Sequence, residues 1–194
     1  MAFIINDRFD KGGKMRQCAF FDRDGVINHD TGYVYQIKDF VFCDGVFEIL
    51  NTLHQQQYLL IVLTNQSGIA RGYYTESDLA ILHNFMQEEL TKHLGFAFDA
   101  IYHCPHLPTE DCQCRKPKIG MITQALQKFD IDLQHSFFVG DRVSDMECAQ
   151  NAGIYGKFFL GKEQEEIKNI QNVQKITSLH QLNSIIKENV TRSN

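Results

Sequence analysis

The sequence predicts an α/β fold with a three-layer, doubly wound and mostly parallel sheet. Three runs of apolar residues stop abruptly at polar or acidic residues, which are Asp22, Thr64 and Asp141. Stretches with the apolar spacing of helices separate these runs, and such an alternation favours right-handed crossovers and a parallel sheet covered on both sides. In sheets of this kind the ligand site lies at the carboxyl ends of the strands. We therefore expect these three residues to converge on one site.

Length and composition fit one globular domain with a sizeable core, since the chain has 194 residues. We interpret residues 1–14, a mixed and glycine-containing stretch, as a loose leader and residues 15–194 as the domain. The chain has no room for a large cap domain. The sequence shows no apolar run of transmembrane length and no apolar segment of the signal-peptide kind, so we expect a cytoplasmic protein. We also expect a monomer.

The charge balance limits the partners of the chain. Lysine and arginine number 19 against 24 aspartates and glutamates, which gives a net charge of −5. Nucleic acids and anionic membranes need a basic protein surface, so we expect neither as a partner. A phosphorylated ligand would then be held by a few local cations.

Two strands and two helices are predicted in the first half of the chain. Residues 17–22 form a short buried strand, and the continuous apolar run 58–63 suits a strand buried on both faces. Asp44 is placed as the N-cap of the first helix, and Thr75 and Asp78 match a capping box at the start of the second. The apolar residues that mark these two helices are Val46, Ile49, Leu50 and Leu53, and Leu79, Leu82, Met86 and Leu90.

Three strands and three helices are predicted in the second half. The strands are residues 100–103, 137–139 and 157–160. One helix follows Pro117, a short one covers 144–152 and is closed by Gly153, and the last lies in the polar tail after Lys162. The apolar residues that mark the first and the last of these helices are Ile122, Ala125, Leu126 and Phe129, and Leu179, Leu182, Ile185 and Ile186.

Asp22 and Asp24 stand at the mouth of the first strand and are followed by Gly25. Two carboxylates this close favour a hard divalent cation such as Mg²⁺ between them. A calcium loop does not fit, because its third ligand would fall on Val26 and its glycine two positions after Gly25. A plain surface turn is the alternative. The more specific hypothesis makes Asp22 a carboxylate nucleophile and Asp24, on the same side of an extended backbone, a general acid and then base.

Three further blocks could bind phosphate or metal. The hydroxyl of Thr64 and the backbone N–H groups that follow it can cradle phosphate oxygens, although threonine at a strand end is often only a turn residue. Arg115 and Lys116, in an acidic protein, are better explained as a phosphate clamp than as a solvated basic face. Asp141, with Asp145 four residues on, would complete the metal site; alone it could cap a helix.

These four blocks, in this order, resemble the haloacid dehalogenase superfamily of aspartate-based phosphotransferases, over about residues 18–160. The resemblance implies that Asp22 attacks phosphorus to give an aspartyl-phosphate. Asp24 would protonate the leaving alkoxide and later activate water, while Thr64 and Lys116 would stabilise the transferring phosphoryl group. The Mg²⁺ ligands that the resemblance implies are Asp22, the backbone carbonyl of Asp24, and Asp141.

Three of the six cysteines crowd beside a histidine in the pattern Cys104-x-His106-x5-Cys112-x-Cys114. Three thiolates and an imidazole with no open position are typical of a closed, structural Zn²⁺ site. Chance cysteines, a disulfide and a zinc-ribbon nucleic-acid module are the alternatives, and the spacing is too compact for the last. His103 is a competing ligand, but in an extended segment it points away from Cys104. Because the last cysteine directly precedes the basic pair, we expect zinc to hold the phosphate clamp in place.

The zinc loop, residues 103–115, resembles that of two families in the superfamily, the heptose-bisphosphate phosphatases and the histidinol-phosphate phosphatases. The blocks from Asp22 to Val34 and from Thr64 to Gly72 are similar to the first family, whereas the short zinc loop and Gly140-Asp141-Arg142 are closer to the second. The heptose enzymes are favoured because the first two blocks border the substrate. The substrate contacts implied are Asn28, Asp30, Thr31, Gly32, Tyr33, Asn65, Gln66, Ser67, Arg115 and Arg142, with the role of Arg142 open.

The implied pathway is the supply of nucleotide-activated heptose for lipopolysaccharide, with histidine biosynthesis as the alternative. A non-catalytic regulatory or scaffolding protein is a further alternative, because fold does not determine function; all four catalytic blocks are intact, which argues against it. A polynucleotide 3′-phosphatase would share the aspartate chemistry but need an extended basic groove, and the acidic balance argues against that.

Overall fold

The computed structural model describes residues 15–161, 167 and 169–193. The strands in this part are β1 (Cys18–Phe21), β2 (Leu59–Asn65), β3 (Ala100–Cys104), β4 (Phe137–Gly140), β5 (Gly156–Phe159) and β6 (Val173–Lys175). The helices are α1 (Val46–Gln55), α2 (Glu76–Leu94), α3 (Gly120–Lys128), α4 (Val143–Asn151) and α5 (Leu179–Ser193), with short 3-10 helices at Ile37–Asp39 and Leu133–His135. The predicted leader, residues 1–14, lies outside the described residues.

The strands form one sheet in the order β3-β2-β1-β4-β5-β6, and all neighbouring pairs are parallel. The chain runs outward from β1 to β3, crosses back to β4 on the other side of β1, and runs outward again. The reversal lies between β1 and β4, where Phe21 pairs with Val139. This is the switch point at which such sheets bind ligands. The predicted doubly wound, parallel architecture is confirmed.

Successive side chains of β1 point into two different cores. Ala19 and Phe21 lie in a cluster with residues of α1, α2 and α5, whereas Cys18 and Phe20 lie in a second cluster with residues of α3 and α4. All four side chains are fully buried. The sheet is therefore covered on both faces, which explains why its central strands consist of continuous apolar residues.

The predicted start of α2 is correct, whereas that of α1 is wrong. The predicted capping box is present, since Thr75 Oγ1 accepts from Asp78 N at 3.1 Å and Asp78 Oδ2 accepts from Thr75 N at 2.8 Å. Asp44, however, is not the N-cap of α1. Gly45 holds that position with a φ of 86° and no side-chain cap. This left-handed conformation favours glycine, and it moves the helix start one residue beyond the aspartate.

The limits of the five predicted strands shift by one or two residues, and one further strand was not predicted. β2 extends beyond the predicted end at residue 63, because Thr64 and Asn65 pair with His103 and Cys104 of β3. The sequence does not predict β6, whose three residues are half-buried or exposed. So short a strand at a sheet edge has too few apolar residues to form a pattern.

The connections at the carboxyl edge of the sheet are loops. Residues 22–45 carry only the short helix Ile37–Asp39, and residues 105–119 carry no helix or strand. Within the described residues, no large cap covers this edge, as predicted. In the same part of the chain, no helix combines the length and the apolar character needed to cross a membrane.

Candidate active site

The carboxyl ends of β1 and β2 open into a pocket of about 410 Å³. Asp22 follows β1, Thr64 lies near the end of β2, and Lys116 enters from the loop after β3. Asp141 follows β4 and lies beside Asp22. The structure therefore brings together the residues that the sequence analysis placed at three separate strand ends.

Lys116 is a buried cation between two buried carboxylates. Its Nζ lies 2.9 Å from Asp22 Oδ1 and 2.7 Å from Asp145 Oδ1, and it donates to the Leu63 carbonyl at 2.7 Å. The side chains of Lys116, Asp22 and Asp145 are 1%, 9% and 0% exposed. Asn65 holds the lysine backbone, because its Oδ1 accepts from Lys116 N and its Nδ2 donates to Lys116 O. Three acceptors and a fixed backbone thus hold the ammonium at the pocket.

Burial dominates the protonation of this group of charges. It is the main cause that raises the pKa of Asp22 to about 8; Lys116 opposes the rise, and Asp145 and Asp141 add to it. Burial also opposes the charge of Lys116, but the two carboxylates outweigh it and raise the pKa of the ammonium above its usual range. The lysine therefore stays charged, and ionised Asp22 would gain from a further cation.

Asp22, Asp141 and Asp145 each bring one oxygen within 4.8 Å of the others. Burial raises the pKa of Asp141 to about 6, with Asp145 adding to the rise and Arg142 and Lys116 opposing it. The Oδ1 atom of Asp141 is buried and accepts no hydrogen bond from the described residues. A set of carboxylate oxygens with an unsatisfied acceptor fits a hard divalent cation such as Mg²⁺.

Gly25 lets the loop after β1 approach this metal site. Its φ is +83°, and a Cβ atom at this position would collide with the carboxylate of Asp141. Asp145 belongs to this carboxylate set, as the residue pattern predicted, since α4 returns its side chain towards Asp22; the ligands implied by the resemblance did not include it. The side chain of Asp24 points to other partners, and the role of its backbone carbonyl stays a prediction.

Asp24 receives donors on both carboxylate oxygens. Its Oδ1 accepts from Arg23 Nη2 at 2.8 Å and from Asn28 Nδ2 at 3.0 Å. Its Oδ2 accepts from Arg23 Nη2 at 2.9 Å and from Gln66 Nε2 at 2.8 Å. The same Gln66 nitrogen donates to Thr64 Oγ1 at 2.7 Å. Gln66 thus links the predicted general acid to the predicted phosphate-binding threonine.

Two aromatic pairs join the loops after β1 and β2 at the pocket. Tyr33 and Tyr73 meet edge to face at 4.8 Å, and Tyr35 stacks on Tyr74 at 5.0 Å. The hydroxyl of Tyr74 donates to Gln66 Oε1 at 2.5 Å. Tyr33 keeps an exposed ring at the pocket wall.

Most of the predicted substrate contacts do line the pocket. They are Asp30, Gly32, Tyr33, Asn65, Gln66, Ser67, Arg115 and Arg142. Asn28 does not: it is fully buried behind Asp24, to which it donates, and so it positions that carboxylate instead of facing a ligand. Thr31 is exposed but lies outside the lining. Arg142 Nη2 lies 3.0 Å from Asp30 Oδ2, which joins the loops after β4 and β1.

The four predicted zinc ligands come together. One ligand atom each from Cys104, His106, Cys112 and Cys114 lies within 4.8 Å of the others. Cys104 Sγ is 3.7 Å from Cys112 Sγ, and His106 Nδ1 is 3.2 Å from Cys114 Sγ. All six cysteines of the chain are free, which excludes the disulfide alternative. Three sulfurs and one nitrogen in a closed cluster fit Zn²⁺.

The zinc loop is bonded to the pocket on two sides. Arg115 Nη1 donates to the His106 carbonyl at 3.1 Å, and Gln66 N donates to the Cys104 carbonyl at 2.7 Å. His103 turns away from the cluster, as its extended backbone predicts, and its Nε2 lies 2.7 Å from a glutamate oxygen of α2. The order of the zinc loop and the position of the basic pair are therefore coupled.

Two side chains that lie behind Asp24 were not predicted from the sequence. Arg23 stands between the two aspartates and is 0% exposed, with its guanidinium directed at Asp24. His83 of α2 contacts Arg23 Nη1 at 3.2 Å. No spacing marks His83, because it lies on the buried face of its helix among apolar residues. The one available signal for Arg23 was a charged residue directly after a buried strand.

The sequence is similar to that of known phosphatases. Residues 17–179 match the family described as polynucleotide kinase 3 phosphatase. The chain is 50% identical over 150 residues to the D-glycero-alpha-D-manno-heptose-1,7-bisphosphate 7-phosphatase of Campylobacter jejuni. The aligned region covers 77% of this chain and 86% of that protein. It is 49% identical over 144 residues to the D-glycero-beta-D-manno-heptose-1,7-bisphosphate 7-phosphatase of Helicobacter pylori, with coverages of 74% and 83%.

The fold is similar to that of a solved relative. The crystal structure of D,D-heptose 1,7-bisphosphate phosphatase from B. bronchiseptica, complexed with magnesium and phosphate, matches with a TM-score of 0.79 and 27% identity. The match covers 89% of this chain and 99% of that chain. Fold, motif order and sequence identity agree. The chain therefore belongs to the haloacid dehalogenase superfamily and, within it, to the family of heptose-1,7-bisphosphate 7-phosphatases.

Proposed function

We propose that the chain is a Mg²⁺-dependent phosphatase that hydrolyses the 7-phosphate of D-glycero-D-manno-heptose 1,7-bisphosphate. The observation that carries the proposal is the buried ammonium of Lys116 between Asp22 and Asp145, beside a pocket whose wall presents Arg115 and Arg142. Two relatives, 50% and 49% identical to this chain, are named for this reaction. A nucleophile, a fixed cation and two further cations suit a substrate with two phosphates.

The reaction proceeds in two displacements at phosphorus. A carboxylate oxygen of Asp22 forms a bond to phosphorus while the bond from phosphorus to the C7 oxygen of the sugar breaks. Asp24 gives its proton to that leaving oxygen. It then removes a proton from a water molecule that attacks phosphorus, and the bond to Asp22 breaks, releasing inorganic phosphate. Lys116 and the Thr64 hydroxyl stabilise the negative charge on the transferring group.

Asp22, Asp141 and Asp145 would hold Mg²⁺, with the backbone carbonyl of Asp24 as a further ligand. When bound, Mg²⁺ neutralises charge on the phosphoryl oxygens and on the attacking carboxylate. Lys116 alone carries one positive charge between two carboxylates, so it does not balance a phosphate dianion as well.

Arg115 and Arg142 would bind the second phosphate of the substrate. A planar guanidinium presents paired donors that match phosphate oxygens. Arg142 is paired with Asp30, and a phosphate would compete for its donors. The exposed ring of Tyr33 offers an apolar surface against which a sugar can pack.

Zn²⁺ in the cluster of Cys104, His106, Cys112 and Cys114 would be structural. Burial and the neighbouring thiols raise the pKa of Cys104 above its usual range. A bound Zn²⁺ would favour the thiolate form, because metal binding releases the thiol proton. The bond from Arg115 to the His106 carbonyl would pass this order to the phosphate clamp.

The same proposal places the protein in the cytoplasm, as a monomer that supplies nucleotide-activated heptose for lipopolysaccharide. The net charge of −5 argues against nucleic acid as substrate, although the matching family is described by a polynucleotide phosphatase.

A substrate panel tests the proposal. We would compare kcat/KM for both anomers of heptose 1,7-bisphosphate, for histidinol phosphate and for a 3′-phosphorylated oligonucleotide. We expect one heptose anomer to exceed the last two by at least about 100-fold, because a ligand without the second phosphate gives up the contacts of that group with Arg115 and Arg142. A higher value for histidinol phosphate or the oligonucleotide would overturn the assignment.

A further inference from the structure

Arg23 is a cation without access to solvent. Its side chain is 0% exposed, and its Nη2 donates to both oxygens of Asp24 and, at 2.7 Å, to the Val34 carbonyl. Its Nε lies 3.2 Å from Asp24 Oδ1. A buried charge needs an acceptor for each of its donors, because it has lost its contacts with water. The bidentate pair with Asp24 therefore depends on the remaining nitrogen, Nη1, also being satisfied.

His83 supplies that acceptor. Its Nε2 lies 3.2 Å from Arg23 Nη1, and among the described residues it is the hydrogen-bond partner of that nitrogen. A guanidinium has donors only, so Nε2 must accept, and the imidazole must be neutral with its proton on Nδ1. Burial first, and then the charges of Arg23 and His103, lower the pKa of His83 well below its usual value, which agrees with this form.

The position of His83 has no explanation in packing alone. The residue is 3% exposed on the buried face of α2, where an apolar side chain would fill the space without losing hydration. Its ring faces that of His103 at 6.2 Å, and His103 in turn contacts Glu76 at 2.7 Å. At 3% exposure, His83 is closed off from bulk water, so water does not readily take its place as the acceptor.

We propose that His83 is a positioning residue for proton transfer: its neutral imidazole fixes the guanidinium of Arg23, which in turn holds the carboxylate of Asp24 in place. The inference rests on the role of Asp24 in the proposed function. Without the acceptor, Nη1 of Arg23 is left buried and unpaired, and the guanidinium must turn or admit water to satisfy it. In either case Asp24 loses the fixed donors of Arg23 and is held only by Asn28 and Gln66, while the nucleophile, the metal carboxylates and the phosphate clamp keep their contacts.

The test compares variants that keep or remove the acceptor. His83→Gln keeps a neutral oxygen at about the depth of Nε2, whereas His83→Leu and the more flexible His83→Met provide no strong acceptor. The matched control is Gln87→Leu, one helical turn further along α2. Gln87 is also buried, but it bonds to the backbone of Phe98, at 2.9 Å and 3.1 Å, and not to Arg23.

We expect His83→Leu and His83→Met to lower kcat for the sugar bisphosphate about 10- to 100-fold, with KM changed less than about threefold, since misplacing a catalytic group by about 1 Å has effects of this size. His83→Gln should stay within about threefold of wild type, and Gln87→Leu should lose stability but not kcat. The inference is overturned if the Leu and Gln variants of His83 have equal kcat, or if Gln87→Leu lowers kcat as much.

A second readout separates proton transfer from general damage to the pocket. The p-nitrophenolate group of p-nitrophenyl phosphate leaves without a proton, so the burst that accompanies phosphorylation of Asp22 should keep its rate in His83→Leu, while the later release of phosphate slows. A burst slowed as much as the turnover of the sugar bisphosphate would show damage to the nucleophile or the clamp and would overturn the inference. If wild type hydrolyses p-nitrophenyl phosphate but not the heptose bisphosphate, the proposed substrate is wrong, and the variants still test His83 through this burst.

Discussion

Lys116 and Asp145 form an ion pair of 2.7 Å in which neither side chain reaches solvent. The lysine lies in the loop after β3 and the aspartate in α4, so the pair joins that loop to the helix at the carboxyl edge of the sheet. It also holds the ammonium beside the carboxylate of Asp22. A cation placed in advance needs no reorganisation when charge develops during the reaction.

Asp145→Asn removes one carboxylate from this pair and should destabilise the protein. Removing one partner of a buried ion pair typically costs about 3–5 kcal/mol, and we expect the lower part of that range or less because Asp22 remains beside Lys116. Urea unfolding in EDTA measures the change. Asp111→Asn is the control, since it breaks the exposed pair of Asp111 with Lys118, at 2.7 Å, and should have little effect. Equal stability of the two variants would contradict the prediction.

Asp22→Asn should abolish turnover, because an amide cannot serve as the nucleophile. We expect kcat to fall at least about 10³-fold, with loss of the acid-stable, base-labile phosphoenzyme that rapid quenching with labelled substrate detects in wild type. Asp24→Asn is the control: it should still accumulate phosphoenzyme from an aryl phosphate. Activity of Asp22→Asn equal to that of wild type would remove the covalent mechanism.

The carboxylate site predicts that the stability of the metal-free protein falls as pH rises, whereas the stabilisation by Mg²⁺ grows. The pKa values of Asp22 and Asp141 are raised to about 8 and about 6, from 3.8, so without metal the folded state holds these protons more tightly than the unfolded state. Stability should then fall as pH rises from about 5 to 8. Protons compete with Mg²⁺, so the increase in Tm caused by Mg²⁺ should be larger at pH 8 than at pH 6.

Thermal unfolding in EDTA and in excess Mg²⁺ across this pH range checks that prediction. Asp141→Asn is the comparison, since it removes one of the two titrating groups and should flatten the pH dependence. A Mg²⁺ effect on Tm that is independent of pH would contradict the assignment of the metal to these carboxylates.

Removal of zinc should weaken substrate binding without removing the Mg²⁺ site. Purified protein should contain about one zinc per chain, and Cys112→Ser should lose it. We expect KM of that variant to rise about tenfold, because Arg115 is bonded to the zinc loop, while the Mg²⁺ concentration at half-maximal activity stays the same. Cys43→Ser is the control, since Cys43 lies outside the cluster. Zinc-free wild-type protein with full activity would disprove a structural zinc.

Arg142→Gln should discriminate substrates by their second phosphate. A charge-assisted hydrogen bond contributes about 1.5–3 kcal/mol, so kcat/KM for the bisphosphate should fall about 10- to 100-fold. A heptose 7-monophosphate lacks the group that Arg142 would bind, and its kcat/KM should change much less. Equal losses for the two substrates would instead indicate that Arg142 acts through its pair with Asp30.

The sequence was most informative where reactive residues stand directly at the ends of predicted strands. Asp22 and Thr64 stand at the ends of buried apolar strands, and parallel strands place such ends at one edge. The zinc ligands lie so close in sequence that spacing alone brings them together. Asp44 shows the limit of local patterns: an acceptable N-cap residue precedes the helix, but the backbone turns at Gly45 instead.

The parallel α/β fold, the candidate nucleophile and general acid, and the composition of the zinc cluster are predictable from the amino-acid sequence, because each depends on local spacing or on the ends of strands. Three contacts appear only in the folded chain: Asp145 lies against Lys116, Asn28 is buried behind Asp24, and His83 meets Arg23. These contacts join residues from separate elements. Their energetic reason is the burial of charge, which requires a partner for each donor and acceptor but leaves no regular spacing in the chain.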